Sequence, residues 1–292
     1  MTGCGGWPQL LGLDHLTEGR QMADRLSGKV AVITGATSGI GMETARVFVR
    51  EGARVVVSGR STDKGAALAD ELGESAFFHP ADVTSEAEIA GLIDAAADRF
   101  GRVDCLFSNA GAPTPGGIET ITQDELDYGM RLLVGSVLFG IKHAARVMKA
   151  VGGGGSIINN SSIAAHRSGQ GNVVYSAAKA AVSHITRLAG AELGPVGIRV
   201  NAISPGAIAT PIFWGGSAAA RELDEAANAR KLAKLERNLA LATPMRRTGL
   251  SEDIAAAALF LASDEGSFIN AHDLVVDGGR IAMFHERPQG AQ

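Results

Sequence analysis

The sequence has few of the features that mark membrane, secreted or nucleic-acid-binding proteins. Cysteine occurs only twice, at Cys4 and Cys105, which excludes a disulfide scaffold. The seven histidines are scattered without the spacing of metal ligands, so we expect no metal site. The longest apolar stretch, 254–262, is far shorter than a membrane-spanning helix. A net charge of −4 offers no basic surface to nucleic acid or to anionic lipid. We therefore expect a cytoplasmic protein that binds neither nucleic acid nor membrane.

Apolar residues and glycine are abundant instead. The chain of 292 residues is 46% hydrophobic, which suffices for one large domain and excludes a disordered chain. Residues 1–27 contain several glycines, no clean periodicity and no basic segment before an apolar one, so no secretory signal is expected there. We expect a flexible extension over 1–27, a single domain over 28–280 and a C-terminal tail over 281–292.

Short β-branched runs alternate with helical patterns from Lys29 onward. The runs predict strands near 30–33, 54–58, 76–79, 103–107, 156–160, 198–203 and 273–276. The first helical pattern follows the first strand and ends near residue 50. The others cover about 63–72, 85–100, 123–150, 173–193 and 251–263. Apolar strands separated by helices predict a doubly wound, Rossmann-type α/β fold, with a parallel seven-stranded sheet covered on both faces.

A glycine-rich turn directly follows the first predicted strand and opens the first helix. Its glycines permit a tight turn and let the backbone approach a pyrophosphate, which the helix N-terminus attracts. The pattern predicts a dinucleotide site that includes Gly35, Thr37, Ser38, Gly39, Ile40 and Gly41. Taken alone, the pattern also fits a turn that binds no ligand.

Other motifs follow at regular places along the chain. Asn109-Ala110-Gly111 follows the fourth strand, Pro205-Gly206 follows the sixth, and Asp277-Gly278-Gly279 follows the last. Tyr175 and Lys179 lie near the start of a helix, and Ser162 lies 13 residues before Tyr175. With the glycine turn, these motifs make the sequence from Leu26 to Gly279 resemble the short-chain dehydrogenase/reductase family. The resemblance implies an NAD(P)-dependent oxidoreductase that interconverts a secondary alcohol and a ketone.

The resemblance assigns catalysis to Ser162, Tyr175 and Lys179. Tyr175 and Lys179 share one helix face because they are four residues apart. A phenol with a pKa of about 10 is a poor base, and we expect the lysine ammonium and the nicotinamide charge to favour its phenolate. Tyr175 would then exchange the substrate proton while Ser162 bonds the substrate oxygen. Lys179 would also hold the ribose.

The end of the second strand bears on the choice of cofactor. NAD-dependent relatives carry an acidic residue there, whereas this chain has Ser58-Gly59-Arg60. The Arg60 guanidinium suits a 2′-phosphate, which favours NADP(H) over NAD(H), although a solvated surface arginine is the alternative. Thr37 and Ser38 occupy the glycine-loop positions where many NADP-binding members carry a basic residue. Further cofactor contacts implied by the resemblance are Asp82, Val83, Asn109, Ala110, Gly111, Tyr175, Lys179, Pro205, Gly206, Ile208 and Thr210.

One position departs from the family pattern. Alignment on 140–143 places Leu133 where members often have an asparagine that anchors a proton-relay water. We expect slower proton exchange or a different water path, and a cofactor-binding sensor without turnover stays an alternative function. A second alternative, a 3-oxoacyl-thioester reductase, would need a basic docking surface, for which the candidates are Arg131, Lys142, Arg146 and Lys149.

The segment 211–243 is expected to form a lid over the active site. Its residues Ile212, Phe213 and Trp214 indicate an apolar or cyclic alcohol or ketone, unless they only pack the lid onto the domain. His166, Arg167 and Gln170 are expected to flank the substrate pocket. Alanine-rich helices over 173–193 and 251–263 permit close packing, and the resemblance implies a homo-oligomer, here expected to be a tetramer.

Overall fold

The apolar runs pair into one parallel sheet in the computed structural model, which describes residues 24–210, Phe213 and 223–283. The strands, labelled β1 to β7 in chain order, are Val30–Thr34, Arg54–Gly59, Ala76–Pro80, Cys105–Ser108, Gly155–Asn160, Ile198–Pro205 and Asp273–Val276. They lie in the order β3-β2-β1-β4-β5-β6-β7. The predicted Rossmann-type fold is confirmed, and the winding direction reverses between β1 and β4, where such sheets bind ligands.

Helices cover both faces of this sheet in the described part of the chain. Helices α1 to α8 are Gly39–Arg50, Thr62–Leu72, Glu86–Phe100, Gln123–Met130, Ser136–Val151, Val173–Leu193, Glu225–Ala240 and Ser251–Ala262. Ile33 of β1 packs in one core cluster with Phe48 of α1 and Ile254 of α8. Its neighbour Val32 packs in the opposite cluster with Leu92 of α3 and Ile141 of α5. Successive strand residues point to opposite faces, so both faces of β1 are buried.

The long helix predicted over 123–150 is interrupted. Residues Arg131–Gly135 form a π-helix between α4 and α5, so one continuous α-helix was a wrong prediction. A bulge of this kind leaves the apolar periodicity of the sequence almost unchanged and is frequent at functional sites. The π-helix contains Leu133, the position that departs from the family pattern, and Leu133 is buried.

The folded domain begins earlier than residue 28. Leu26 is buried in the core, and its main-chain N–H donates to the oxygen of Glu51 at 2.8 Å. Residues 24–27 therefore belong to the domain rather than to the predicted flexible extension. At the other end, a short 3-10 helix, Arg280–Ala282, extends the folded region past the predicted boundary at residue 280.

The predicted lid is described only in part. Helix α7 matches the charged, alanine-rich helix expected before residue 243. Phe213 is described and half exposed, whereas Ile212 and Trp214 lie outside the described residues. Among the described helices, none is both long enough and apolar enough to cross a membrane.

Candidate active site

A first cavity of about 510 Å³ lies where the winding of the sheet reverses. Gly35 and Asn109, which follow β1 and β4, lie on its wall. The predicted site residues that line it are Gly35, Thr37, Ser38, Gly39, Ile40, Arg60, Asp82, Val83, Asn109, Ala110, Gly111, Tyr175, Lys179 and Thr210. The fold thus brings most of the predicted residues together from six separate parts of the sequence.

The glycine turn is as tight as the sequence pattern requires. Gly35 and Gly39 have φ angles of 65° and 54°, a region that L side chains rarely adopt. A Cβ atom on Gly35 would lie 2.8 Å from the Cα of Ala110. Gly41 is buried and does not line the cavity, and a Cβ atom there would lie 2.5 Å from the main-chain oxygen of Gly35. Gly41 therefore permits the tight turn and does not itself face a ligand.

The motif at 109–111 holds this turn in place. The Nδ2 of Asn109 donates to the main-chain oxygens of Thr34 and Gly35 at 3.0 and 3.3 Å. The hydroxyl of Thr34 in turn accepts from the main-chain N–H groups of Asn109 and Ala110. These bonds tie the carboxyl ends of β1 and β4 together and fix the wall of the cavity.

Arg60 and Asp82 both line the first cavity. Burial raises the pKa of Asp82, but hydrogen bonds from Thr84 and the charge of Arg60 outweigh that effect and leave the pKa lowered. Both bonds to Asp82 Oδ1, from the N–H and the hydroxyl of Thr84, are 2.9 Å long. Arg60 is exposed, and no carboxylate occupies the end of β2 beside it. This part of the cavity wall therefore carries the Arg60 cation near the ionised carboxylate of Asp82, which Thr84 holds in place.

Tyr175 and Lys179 also line this cavity, and both belong to helix α6. Asn172 caps this helix, because its Oδ1 accepts from the N–H of Tyr175 at 2.9 Å and from the hydroxyl of Thr114 at 2.8 Å. The Nζ of Lys179 donates to the main-chain oxygen of Asn160 at 2.5 Å. It also lies 5.6 Å from the centre of the Tyr175 ring. The cap and the bond to β5 position both side chains at the cavity.

The pKa values of the pair are shifted by burial. Desolvation raises the pKa of Tyr175, and a hydrogen bond with Ser162 opposes that shift without cancelling it. Desolvation also lowers the pKa of Lys179 to about 8. Burial therefore acts against the expected effect of the lysine ammonium and the nicotinamide charge, which together would favour the phenolate. The raised pKa keeps Tyr175 in its protonated, neutral form at neutral pH.

Asn160 is a cavity residue that the sequence did not single out. Its Nδ2 donates at 2.9 Å to the Oδ1 of Asn109. Because the Nδ2 of Asn109 already donates to Thr34, its Oδ1 must accept, and this fixes the orientation of the Asn160 amide. The Asn160 Oδ1 is buried without a hydrogen-bond partner in the described part of the chain. The only sequence signal was a polar residue at the end of an apolar strand. Other lining residues missed are Gly59, Ser61, Ala81, Ala112 and Leu132.

These features fit a dinucleotide. The cavity floor is a glycine turn at a helix N-terminus, which suits a pyrophosphate. A residue larger than glycine would not fit in this turn. Asn160 Oδ1 offers a buried acceptor to a ligand N–H or O–H group. Among the described residues, no group of three or more His, Cys, Asp or Glu side chains is placed to hold a metal.

A second cavity of about 350 Å³ adjoins the first. Ser162 lines it, together with Tyr175, which faces both cavities. Pro205, Gly206 and Ile208, expected at the cofactor, also line this second cavity rather than the first. Ile40, Asn160 and Thr210 belong to both walls. The two cavities therefore share a wall, to which Tyr175 contributes.

Two of the residues expected to flank the substrate pocket have other partners. His166 Nε2 lies 3.0 Å from the buried carboxylate of Asp273, which also accepts from the hydroxyl of Ser204 at 2.7 Å. Arg167 donates to the main-chain oxygens of Arg280 and Ile281. Only Gln170 of the three lines the second cavity, and Arg280, which the sequence did not indicate, lines it as well.

Leu133 brings an apolar group close to Tyr175 and Lys179. Its Cδ2 would lie 3.3 Å from a Cβ atom on Gly111, and Lys179 Nζ would lie 4.0 Å from the same point. Leu133 packs in a buried cluster with Val83 and Ala178, against which Tyr175 also packs. The side chain at this position offers no hydrogen bond to a water molecule, whereas an asparagine would.

The fold and this constellation define a class of α/β protein that binds a dinucleotide beside a tyrosine–lysine pair. Residues 35–280 match a family model described as "Enoyl-(Acyl carrier protein) reductase". The chain belongs to the short-chain dehydrogenase/reductase family, and it is an NAD(P)-dependent oxidoreductase that acts on alcohols or ketones.

Three plant relatives illustrate the similarity. Momilactone A synthase of Oryza sativa subsp. japonica is 43% identical over 263 residues, which cover 88% of this chain and 91% of the relative. Short-chain dehydrogenase reductase ATA1 of Arabidopsis thaliana is 40% identical over 257 residues, covering 87% and 93%. The mitochondrial (-)-isopiperitenol/(-)-carveol dehydrogenase of Mentha piperita is 36% identical over 261 residues, covering 87% and 94%.

Proposed function

We propose that this protein interconverts a secondary alcohol and a ketone with NADP(H), and that Tyr175 exchanges the proton. The observation that carries the proposal is that Tyr175 lines both cavities. The first cavity has the features of a dinucleotide site, and the second has the size of a small-molecule site. A proton donor at their junction can reach a substrate whose reacting carbon faces the cofactor.

Each of the three side chains has a separate task. In ketone reduction, the neutral phenol of Tyr175 donates its proton to the oxygen of the substrate, and in alcohol oxidation the phenolate accepts it. Ser162, which lines the second cavity with Tyr175 and lowers its pKa, orients the substrate oxygen. Lys179 supplies positive charge near the phenol and is held by the oxygen of Asn160. The nicotinamide, when bound, supplies or accepts the hydride.

Arg60 supports NADP(H) as the preferred cofactor. Arg60 lines the first cavity directly after β2, which itself ends without a carboxylate, and a guanidinium suits the geometry of a 2′-phosphate. Asp82 lies near Arg60, and its negative charge weakens the positive potential that Arg60 creates. The preference for NADP(H) over NAD(H) is therefore one of degree. NAD(H) remains the competing cofactor.

The 3-oxoacyl-thioester reductase alternative has less support. Lys142 donates to the carboxylate of Glu86 at 2.6 Å, and Arg146 donates to that of Asp94 at 2.5 Å. Two of the four basic candidates are therefore neutralised by carboxylates of α3, which weakens a surface meant to attract an acidic carrier protein. Ring-shaped substrates have more support, because a relative is named a carveol dehydrogenase and carveol is a cyclic alcohol.

A turnover screen tests the proposed function. Cyclic and acyclic ketones and secondary alcohols are incubated with NADPH, NADH or their oxidised forms, and the nicotinamide absorbance is followed. We expect turnover of at least one cyclic pair, faster with NADP(H). Cofactor binding without turnover of any compound would contradict this function and would favour the sensor alternative that Leu133 raises.

A further inference from the structure

The second cavity contains a cation that the proposed chemistry does not use. Arg280 follows β7 and the glycine pair 278–279, and it begins the short 3-10 helix Arg280–Ala282. Its side chain lines the cavity that Ser162 and Tyr175 also line. No aspartate or glutamate is among the described residues that line this cavity.

The backbone that carries Arg280 is held from two sides. The carboxylate of Asp277 accepts from the main-chain N–H groups of Gly279 and Ile281, both at 2.7 Å. The guanidinium of Arg167 donates to the oxygens of Arg280 and Ile281 at 3.0 and 3.1 Å. The position of Arg280 is therefore built into the fold rather than left to a free surface side chain.

The guanidinium of Arg280 is oriented, and no carboxylate of the described residues neutralises it. Its Nε donates to Oε1 of Gln170 at 2.8 Å, and its Nη1 donates to the oxygen of Ala242 at 3.2 Å. Both acceptors are uncharged, and Arg280 forms no ion pair with a described residue. A guanidinium has five N–H donors, so several remain for a ligand.

We infer that Arg280 recognises a carboxylate on the substrate, at a position separate from the reacting carbon. This inference rests on the proposed function, in which Tyr175 and Ser162 take the reacting oxygen. A carboxylate matches the charge and the planar fork of the guanidinium, and Gln170 on the same wall holds that fork in place. Phe213 and Ile208 give the cavity apolar wall area for a carbon skeleton. The substrate class is therefore an apolar oxo acid or the corresponding hydroxy acid.

Matched pairs of substrates test this inference. Cyclic oxo acids are compared with their methyl esters, using the wild type, Arg280→Gln and Arg280→Lys. We expect the wild type to favour the acid, and Arg280→Gln to lower kcat/KM for the acid by about 10- to 100-fold, mainly through KM. The ester should change by less than about 3-fold, and Arg280→Lys should restore part of the preference for the acid.

A control separates recognition from damage to the pocket. Arg167→Gln loosens the same backbone segment but removes no group from the second cavity. Equal turnover of acid and ester by the wild type, or an equal loss of both in Arg280→Gln, would overturn the inference. If no compound of the turnover screen reacts, acids and esters included, the proposed function fails. The thermal shift of the NADP⁺ complex with acid and with ester then decides whether Arg280 still selects the carboxylate.

Discussion

The Nζ of Lys179 lies 5.6 Å from the centre of the Tyr175 ring, one turn along the same face of α6. Burial affects the two groups in opposite directions, because it raises the pKa of the phenol and lowers that of the ammonium to about 8. Each shift favours the neutral form of its group. Burial thus favours the protonated form of Tyr175, and a positive charge nearby would favour the phenolate.

The titration of Tyr175 tests this view of the pair. The chain has two tyrosines, so a Tyr128→Phe protein with labelled tyrosine gives one ring signal to follow by NMR. We expect Tyr175 to remain a phenol above pH 10 without cofactor, because burial disfavours the phenolate. Addition of NADP⁺ should lower the pKa. The urea-unfolded protein, in which tyrosine titrates near pH 10, is the reference.

The buried ammonium of Lys179 should make stability depend on pH. Its folded pKa of about 8 lies below the ordinary 10.5, so between these values the unfolded chain binds more protons. Stability therefore rises with pH in this window. Relative to Lys179→Met, the wild type should gain about 2 kcal/mol in unfolding free energy between about pH 7 and pH 9.5. A difference independent of pH in urea titrations would show that Lys179 is not desolvated.

Arg60 should determine the preference for the phosphorylated cofactor. Replacement by serine removes the guanidinium, and we expect the Kd for NADP⁺ to rise by about 10- to 100-fold, while the Kd for NAD⁺ changes little. Calorimetry measures both. Arg50→Ser, at the exposed end of α1 and outside the first cavity, is the matched control. An equal rise in the Kd for NADP⁺ and for NAD⁺ would show that Arg60 does not act on a 2′-phosphate.

The glycine turn should tolerate no side chain at position 41. A Cβ atom there would lie 2.5 Å from Gly35 O and 2.6 Å from Asn109 Nδ2, and neither atom belongs to a flexible chain end. We expect Gly41→Ala to cost about 1–3 kcal/mol of unfolding free energy. Gly91→Ala, on the exposed face of α3 with nothing within 4 Å, should instead stabilise by about 0.5–1 kcal/mol. Urea denaturation compares the two, and a harmless Gly41→Ala would contradict the tight packing.

The fold could be predicted because the patterns that determine its strands and helices lie within short segments of the sequence. Doubly buried parallel strands need apolar runs such as Val30–Thr34, and the helices between them need periodic patterns, so both leave a signal in the sequence. The π-helix at Arg131–Gly135 leaves none, since one extra residue per turn barely alters the pattern of buried positions.

The site was predictable only where residues form a motif. Ser162, Tyr175 and Lys179 were indicated by their spacing, whereas Asn160 and Arg280 reach the cavities through contacts between distant segments. Arg280, for example, meets Gln170 only because β7 ends beside the loop that follows β5. The cytoplasmic location and the tetramer remain predictions.

Replacement of Tyr175 by phenylalanine tests the central claim most directly. With a ketone from the screen and NADPH, single-turnover hydride transfer is measured in the wild type, in Tyr175→Phe and in Tyr128→Phe, which removes the other, more exposed tyrosine hydroxyl. We expect Tyr175→Phe to bind NADPH normally and to slow transfer by about 100- to 10,000-fold, and Tyr128→Phe to react like the wild type. Transfer at the wild-type rate in Tyr175→Phe would contradict the proposed role of the phenol.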